Sequence, residues 1–577
     1  MPDIIASKRE TILAFFDASR QHEFLIPEYQ RPYEWRVDEV TDLFYDLKNF
    51  NDDENSRKTE DPNYKADDYF LGTIIYFQNA NGQREIVDGQ QRIISLFLLF
   101  RAIYEEISTN AILQNFARAR DIERIIWKTD NVDGNIISRD QLLIDTEAIS
   151  DNSKNIFVSI ISEGKAEDKL RDSYSVNYRT IQELIRKELL IDEGNFFKNF
   201  VVRLLDATYV LPIESTTFDA TLEIFERIND RGRQLTETDI FKSKIYVELD
   251  AENRNDFISR WKDLEEKVTS IGETMRTLFI YQMFYIRAKN NDISAARRIS
   301  LRRFFLNEKL KNGSLPLKNS ELISDLEKIF ELVNVMKKRG TIAGKLWSRN
   351  FEITKLLDIL WKAPNDWWRY SAVVYYLANV DKENFPNEFV KFLRKLVATI
   401  SIFYSLNLTR SEKKRNLLIL NVNSVNSIHP IIETPEITLE AFANDDHLTK
   451  KILKTFLHEL AYGDPDQKAM LPVEWEVEYI FPKKFTPNYP PESEVIYMRK
   501  AVDKFGNLAI LDKKPKLSAI PGFFQRKQMF YKNTSIAFTK KLADLEDFGI
   551  DTISERTQAM FETLIELWYS WVEGYDQ

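Results

Sequence analysis

The sharpest change of hydrophobic pattern in this chain falls between Tyr69 and Leu99. Tyr69–Phe77 reads Tyr-Phe-Leu-Gly-Thr-Ile-Ile-Tyr-Phe, a nearly continuous apolar run with strand length and composition. Asn81-Gly82 is a hairpin signal, and Glu85–Val87 predicts a second short strand. Asp88-Gly89 breaks that strand, and Ile93–Ile107 predicts a buried helix. Asp88, Gln90, Gln91 and Arg92 are thereby crowded into a strand-to-helix turn, where the first backbone N–H groups have no partner inside the helix and make an anion site. Polar side chains at such a place are costly unless a ligand or protein partners satisfy them.

The remaining pattern is mostly helical. Ser7–Ser19 predicts a first helix with a Ser7/Glu10 capping box and an apolar face of Ile12, Phe15 and Phe16. Ile26–Trp35 is kept extended by Pro27 and Pro32. Asp38–Phe50 returns to helix, and Asn51–Asp68, polar and charged, predicts a mobile surface loop. Ser108–Leu205 is helical with polar breaks, Thr208–Pro212 is strand-like, and Thr217–Ile228 is a helix with Gly232 as a left-handed cap beyond it. Thr236 is the N-cap of the next helix. Asp250–Gly463 is almost entirely helical, as in Phe389, Leu393, Leu396, Val397 and Ile400. Beyond it, Leu471–Pro482 mixes strand residues with prolines, Phe505–Leu511 is a turn and strand, and Glu555–Trp571 is a closing helix. The expected fold class is mainly α: a small α/β domain in 1–250, a helical domain in 251–463, and an α+β domain in 464–577.

Composition narrows the function classes. A length of 577 residues suggests roughly three or four domains. Hydrophobic residues at 44% and aromatics at 13% support large cores rather than extensive disorder. There is no Cys, which removes disulfides and thiolate zinc sites and fits a reducing cytoplasm. The N-terminus is no secretory signal, and the longest mainly apolar stretch, Ile93–Phe100, is far short of the about 20 residues of a membrane span. The net charge of −10 means that nucleic acid would have to meet local basic patches.

Two readings of the turn stand side by side. In one, its polar groups cap the helix. In the other it is a nucleotide pocket, where Arg92 meets phosphate through its planar fork, Gln90 and Gln91 suit base or ribose edges, and Asp88 holds a hydrated magnesium or orients a water. Gln30 and Arg31 would form a second wall, with Tyr33 and Trp35 packed inward. Arg231 and Arg233, flanking Gly232, suit either a phosphate or the helix dipole.

Three segments together resemble one family: Tyr29-Gln30-Arg31-Pro32-Tyr33-Glu34-Trp35; Phe70-Leu71-Gly72 with Ile86-Val87-Asp88-Gly89-Gln90-Gln91-Arg92; and Phe225-Glu226-Arg227-Ile228-Asn229-Asp230-Arg231-Gly232. The set is similar to the N-terminal domain of GmrSD-type modification-dependent restriction systems, also found in phosphorothioate-sensing SspE proteins. The resemblance implies a ParB/sulfiredoxin-like fold that binds and hydrolyses a nucleoside triphosphate. It assigns catalytic roles to Asp88, Gln91 and Arg92, and nucleotide contacts to Gln30, Arg31, Gly89, Gln90 and Arg231. Magnesium is the metal it admits, and zinc is not expected.

The C-terminus resembles the companion HNH-type nuclease domain, whose members carry Glu-His-Ile followed closely by Pro, then Gly-Asn-Leu, a further Asn, a Phe…Lys…Tyr run and a closing Arg and Trp. The matching residues are Glu478-Tyr479-Ile480-Phe481-Pro482, Gly506-Asn507-Leu508, Phe524…Lys527…Tyr531, Arg556 and Trp568. Tyr479 stands where the family has its catalytic His, and Lys513-Lys514-Pro515-Lys516 occupies the stretch of the later Asn. The four His lie at 22, 429, 447 and 458, none further on. A tyrosine, with a pKa of about 10, is a poor base at neutral pH. Glu478, Tyr479 and Asn507 therefore mark a degenerate nuclease site.

Basic clusters are Arg297-Arg298 with Arg302-Arg303, Lys337-Lys338-Arg339, Lys413-Lys414-Arg415 and Lys513-Lys514. The first could form one stripe on a DNA backbone, with Lys513 and Lys514 as a further contact. The expected function is antiphage defence: nucleotide binding in the N-terminal domain, contact with modified or phage DNA, and cutting left to a partner nuclease. Self-association is compatible with it. The alternatives are an active nuclease with a carboxylate-bound metal around Glu476, Glu478 and Asp503, and a non-enzymatic scaffold.

Overall fold

The computed structural model describes residues 4–6, 8–18, 22–61, 63, 65, 67–110, 113, 116–130, 133–147, 151–167, 169–228, 236–293, 300–442, 448–481, 501–512 and 524–576. They form two units, Met1–Asp250 and Ala251–Gln577.

In the first unit, β1 (Ile4–Ala6), β2 (Glu10–Thr11), β3 (Phe24–Ile26), β4 (Tyr69–Gln78), β5 (Arg84–Asp88), β6 (Ile144–Thr146) and β7 (Thr208–Ser215) form one mixed sheet. Its order is β1-β7-β4-β5-β3-β6, with β2 also paired to β7. β4 runs parallel to β7 and antiparallel to β5, while β3 is parallel to both β5 and β6. Around it lie α1 (Ile12–Ala18), α2 (Val37–Glu60), α3 (Gln90–Thr109), α4 (Ala119–Ile126), α5 (Asp151–Glu163), α6 (Ser173–Asn195), α7 (Val202–Asp206), α8 (Phe218–Ile228) and α9 (Glu237–Glu248).

The alternation along β4 sorts its residues onto two faces. Ile74 and Tyr76 join the core around α3, whereas Ile75 packs with Ile213 and with Ile224 and Phe225 of α8. Every residue of α3 from Ile93 to Tyr104 is buried. Phe97 meets Phe16 edge-to-face with centroids 5.5 Å apart, which locks α3 to α1.

Three sequence expectations change here. The first helix starts at Ile12, because Glu10 and Thr11 pair with β7 and the Thr11 hydroxyl accepts the Ala14 N–H at 3.1 Å. Ser7 and Gly232 lie outside the described residues. The loop expected from Asn51 continues as helix to Glu60. Its polar residues have tertiary partners that local sequence does not announce: Arg203 donates to buried Asn51 at 3.0 Å, and the Asp67 N–H donates to buried Glu54 at 2.6 Å. The short β6 lies within a stretch read as helical, and its backbone groups are satisfied by β3.

The second unit is helical until its last quarter. It comprises α10 (Ala251–Ser270), α11 (Met275–Lys289), α12 (Leu301–Asn307), α13 (Leu322–Lys338), α14 (Phe351–Lys362), α15 (Trp367–Asn379), α16 (Phe385–Ser405), α17 (Arg410–Asn426) and α18 (Lys450–Gly463). An antiparallel hairpin of β8 (Trp475–Tyr479) and β9 (Leu508–Asp512) follows, then α19 (Phe524–Lys532), α20 (Ala537–Lys540) and α21 (Ile550–Asp576). The molecule is thus mainly α with a small α/β N-terminal part. No helix among the described residues is long and apolar enough to cross a membrane.

α16 is buried along almost its whole length, and Tyr375 of α15 stacks on its Phe392 at 3.8 Å. Fully buried Glu459 of α18 joins three helices, accepting from Ser401 of α16 and from the Trp568 indole of α21, both at 2.6 Å. Burial pushes its carboxyl from 4.5 up to about 8, so it is protonated at neutral pH. Folding then takes up a proton between those two values: the stabilisation is complete below about 4.5 and falls as pH rises to about 8. Glu459→Gln keeps a neutral group of the same shape. Its stability relative to wild type should therefore rise with pH between 5 and 8, by up to about 1.4 kcal/mol per unit, in denaturant melts; parallel pH profiles would contradict a buried neutral acid.

Candidate functional site

β5 ends at Asp88, and Gly89, at φ +92°, is the N-cap of α3. Having no side chain, Gly89 offers no cap to the amides of the first turn. A Cβ there would lie 3.1 Å from Ile74 and 3.3 Å from the Thr73 carbonyl, so the tight passage from sheet to helix also needs glycine sterically.

Arg92 turns back over β4. Its Nη1 donates to the Leu71 carbonyl at 3.1 Å, and its Nη2 lies 3.6 Å from Asp88 Oδ2. The register of β4 against β7 slips between Phe70 and Gly72, and Gly72 sits at φ +124°. A Cβ on Gly72 would fall 1.9 Å from Arg92 Nη1. The Phe70-Leu71-Gly72 motif is therefore a seat for the guanidinium, a role the sequence reading did not assign. The available signal was a glycine inside an apolar strand, which marks a bulge or a close approach. Both side chains keep about a quarter of their surface in solvent, 24% for Arg92 and 23% for Asp88. Burial raises the Asp88 carboxyl above its ordinary range, opposed by Arg92 and the Gly89 N–H. Burial likewise lowers Arg92, opposed by Asp88.

The paired glutamines fasten the first motif over this turn. Gln91 accepts from the N–H groups of Glu34 (2.9 Å) and Trp35 (3.3 Å) and donates to the Pro32 carbonyl at 3.1 Å. Gln90 donates to the Arg31 carbonyl, and Gln30 donates to the Val87 carbonyl at 3.3 Å. Tyr33 is buried as expected, its hydroxyl 2.7 Å from Ser95 and accepting from Asn177 at 3.1 Å. Trp35 packs half-buried against the same core. Tyr29 donates to buried Glu85 at 2.6 Å. Arg31 forms a fork on Asp239 Oδ2, the oxygen that also caps α9 through Thr236. Gln30, Gly89, Gln90, Gln91 and Arg92 thus converge on one turn, and Arg31 is held beside it by an ion pair. Arg231 and Arg233 lie outside the described residues.

The second set of candidate residues gathers at the β8–β9 hairpin. Asn507 is fully buried; its side chain accepts the Phe481 N–H at 2.6 Å and donates to the carbonyls of Phe481 (3.0 Å) and Val502 (2.8 Å). Glu478 accepts from Lys527 of α19 at 2.6 Å, and the same ammonium donates to the Tyr479 carbonyl at 2.6 Å. Lys527 is buried, and Tyr479 packs partly buried against the hairpin core. Gly506 lets the chain touch α21: a Cβ there would lie 2.2 Å from the Ile553 carbonyl. Arg556 of α21 donates to the carbonyls of Gly506 and Leu508, and burial lowers it to about 10. Glu476 and Asp503 are exposed. Among the described residues no group of three His, Asp or Glu is placed to hold a metal ion. Of the proposed basic stripe, Arg302 is half-buried and Arg303 exposed on α12. Arg297, Arg298, Lys513 and Lys514 lie outside the described residues.

Two family models match the chain. The model of the GmrSD restriction endonuclease N-terminal domain covers residues 12–246, and that of the C-terminal domain covers residues 436–563. No curated protein matches. The matches support a restriction role in defence against phage. Both ends of the chain answer to the same kind of protein, in the expected order, and the chain belongs to the GmrSD restriction endonuclease family.

Proposed function

We propose that the first unit binds a nucleoside triphosphate over the turn at Gly89, that the second unit engages DNA, and that a separate nuclease cuts the strand. The observation that supports the nucleotide reading best is the seat of Arg92. Its guanidinium is fixed by the Leu71 carbonyl and the gap at Gly72, yet a quarter of the side chain faces solvent. It stands at the N-terminal end of a 20-residue helix whose glycine cap provides no side-chain acceptor. A fixed planar cation beside unsatisfied helix amides is what a phosphate group requires.

The residues fit a triphosphate with magnesium in a limited sense. Asp88 beside Arg92 suits a hydrated ion held mainly by phosphate oxygens rather than a cage of protein ligands. The bound nucleotide would supply a phosphoanhydride bond. Asp88 would hold a water against it. Gln91, committed to the backbone of Glu34 and Trp35, acts as a positioning residue for the wall. Arg31 would reach a phosphate by leaving Asp239.

The loss of nuclease chemistry is supported by what surrounds Glu478. A phenol stands at 479 in place of an imidazole, and the carboxylate is engaged by a buried ammonium. Asn507 spends its whole amide on the backbone.

Calorimetry with the four nucleoside triphosphates and magnesium should show binding to the wild-type protein that weakens at least tenfold in Arg92→Ala. Gly72→Ala should weaken it comparably, because the new methyl displaces the guanidinium. Failure of wild type to bind any of the four would favour the scaffold reading, and undiminished binding by Arg92→Ala would overturn the seat of Arg92 as the phosphate site. With plasmid DNA and Mg²⁺ or Mn²⁺, neither wild type nor Glu478→Ala should nick. Glu478→Ala should nonetheless lower the stability of the second unit by about 3 kcal/mol, since buried Lys527 loses its counter-charge. Cutting by wild type that Glu478→Ala abolishes would overturn this and restore the carboxylate-metal reading.

A further inference from the structure

Four cations in the second unit lie over aromatic rings. Lys454 of α18 stands 4.6 Å from the Trp475 ring of β8, Arg369 3.8 Å from Trp361, Arg410 5.0 Å from Trp367, and Lys413 4.8 Å from Tyr404. The pairs are linked. Thr455, next to Lys454, donates to the carbonyl of Lys362, the neighbour of Trp361. Arg369 is two residues beyond Trp367 on α15. Trp367, Tyr404 and Lys413 line one shallow hollow, and Asn365, which also lines it, donates to the Tyr404 hydroxyl.

Salt bridging accounts for Arg369 but not for the other three cations. Among the described residues, Arg410, Lys413 and Lys454 have no ion pair; Arg369 has Asp366 at 3.1 Å. Arg410 and Lys413 both fall in the first turn of α17, the positive end of its dipole, where cations are unfavourable. The end of that helix is already closed by its own capping box, Thr409 with Glu412. A run of cations at a place that disfavours them, in a chain of net charge −10, calls for an external anion.

We propose that this row, from Lys454 through Arg369 and Arg410 to Lys413, is the surface on which the second unit holds the phosphodiester backbone of duplex DNA. The inference rests on the reading that the second unit engages DNA, and it gives that contact an address. Seating each cation on a ring fixes its direction before the ligand arrives. Tyr404 and Trp475 are not open platforms for unstacked bases: they are 5% and 6% exposed, and each has a cation over its ring. Proteins that grip single strands present free aromatic faces. Here the phosphate backbone is the ligand, and the contact is independent of base sequence. The row begins beside β8, the strand that carries Glu478 and Tyr479, so DNA held along it passes the nuclease-like hairpin.

The test uses the full chain and a fluorescein-labelled 30-base-pair duplex, read by anisotropy across a salt series, beside the same length of single strand. The triple variant Arg410→Glu, Lys413→Glu, Lys454→Glu should bind the duplex at least tenfold more weakly. Its plot of log affinity against log salt should be shallower by about two to three units, near 0.9 per lost phosphate contact. Lys338→Glu with Arg349→Glu, an exposed control of similar charge change, should bind as wild type does. Thermal melts establish that each variant is folded, and the triple alanine variant replaces the charge reversal if that one is not. Equal duplex binding by folded triple variant and wild type would overturn the proposed surface while leaving DNA engagement by the chain intact. Wild type preferring the single strand would overturn the backbone reading. Wild type binding neither form would remove the underlying premise as well.

Discussion

A helix that is apolar on every side has to be enclosed, and the enclosure of α3 governs the first unit. With each residue from Ile93 to Tyr104 buried, the helix enters the core at its N-terminal end, where backbone amides and four polar side chains arrive together. Those groups must be satisfied inside the fold or by something bound to it. The glutamines are satisfied internally by the backbone of the extended segment around Pro32. That explains why two distant motifs travel together: each is the hydrogen-bond partner of the other. Arg92 is treated differently. It is seated at one edge by the Leu71 carbonyl and keeps about a quarter of its surface in solvent.

In the second unit, the residues of the C-terminal motifs are the ones that hold the hairpin and its helices together. Asn507 ties the hairpin to the chain on either side of it, Lys527 ties α19 to β8, Arg556 and Gly506 join α21 to the turn, and Trp568 anchors Glu459. These contacts are made by backbone carbonyls, a buried amide and paired charges, and none of them involves the phenol ring at 479, so the fold does not depend on which side chain stands there.

Much of this was legible from the order of residues. The β4–β5 hairpin follows from an apolar strand, Asn81-Gly82 and a second strand; α3 follows from a mainly apolar run; and Thr236 is the N-cap read from the sequence, with Asp239 completing a capping box in the structure. These are local effects, set by periodicity and by turn geometry that a few residues determine. The convergence of Asp88, Gly89 and Arg92 was legible too, since a strand-to-helix turn brings neighbours in sequence together in space.

What the order of residues left open depended on partners far along the chain. Nothing near Asn51 announces Arg203, and so the helix through Glu60 was read as a loop. Nothing near Arg31 announces Asp239, nor near Gly72 the guanidinium of Arg92. The cation-and-ring row is split among four separate stretches of sequence, each of which alone reads as an ordinary solvated face. Local pattern determines which elements form, because backbone hydrogen bonds and side-chain period act over a few residues. Which polar groups meet, and which of them are left facing water, is decided by packing of the apolar faces, a property of the whole chain.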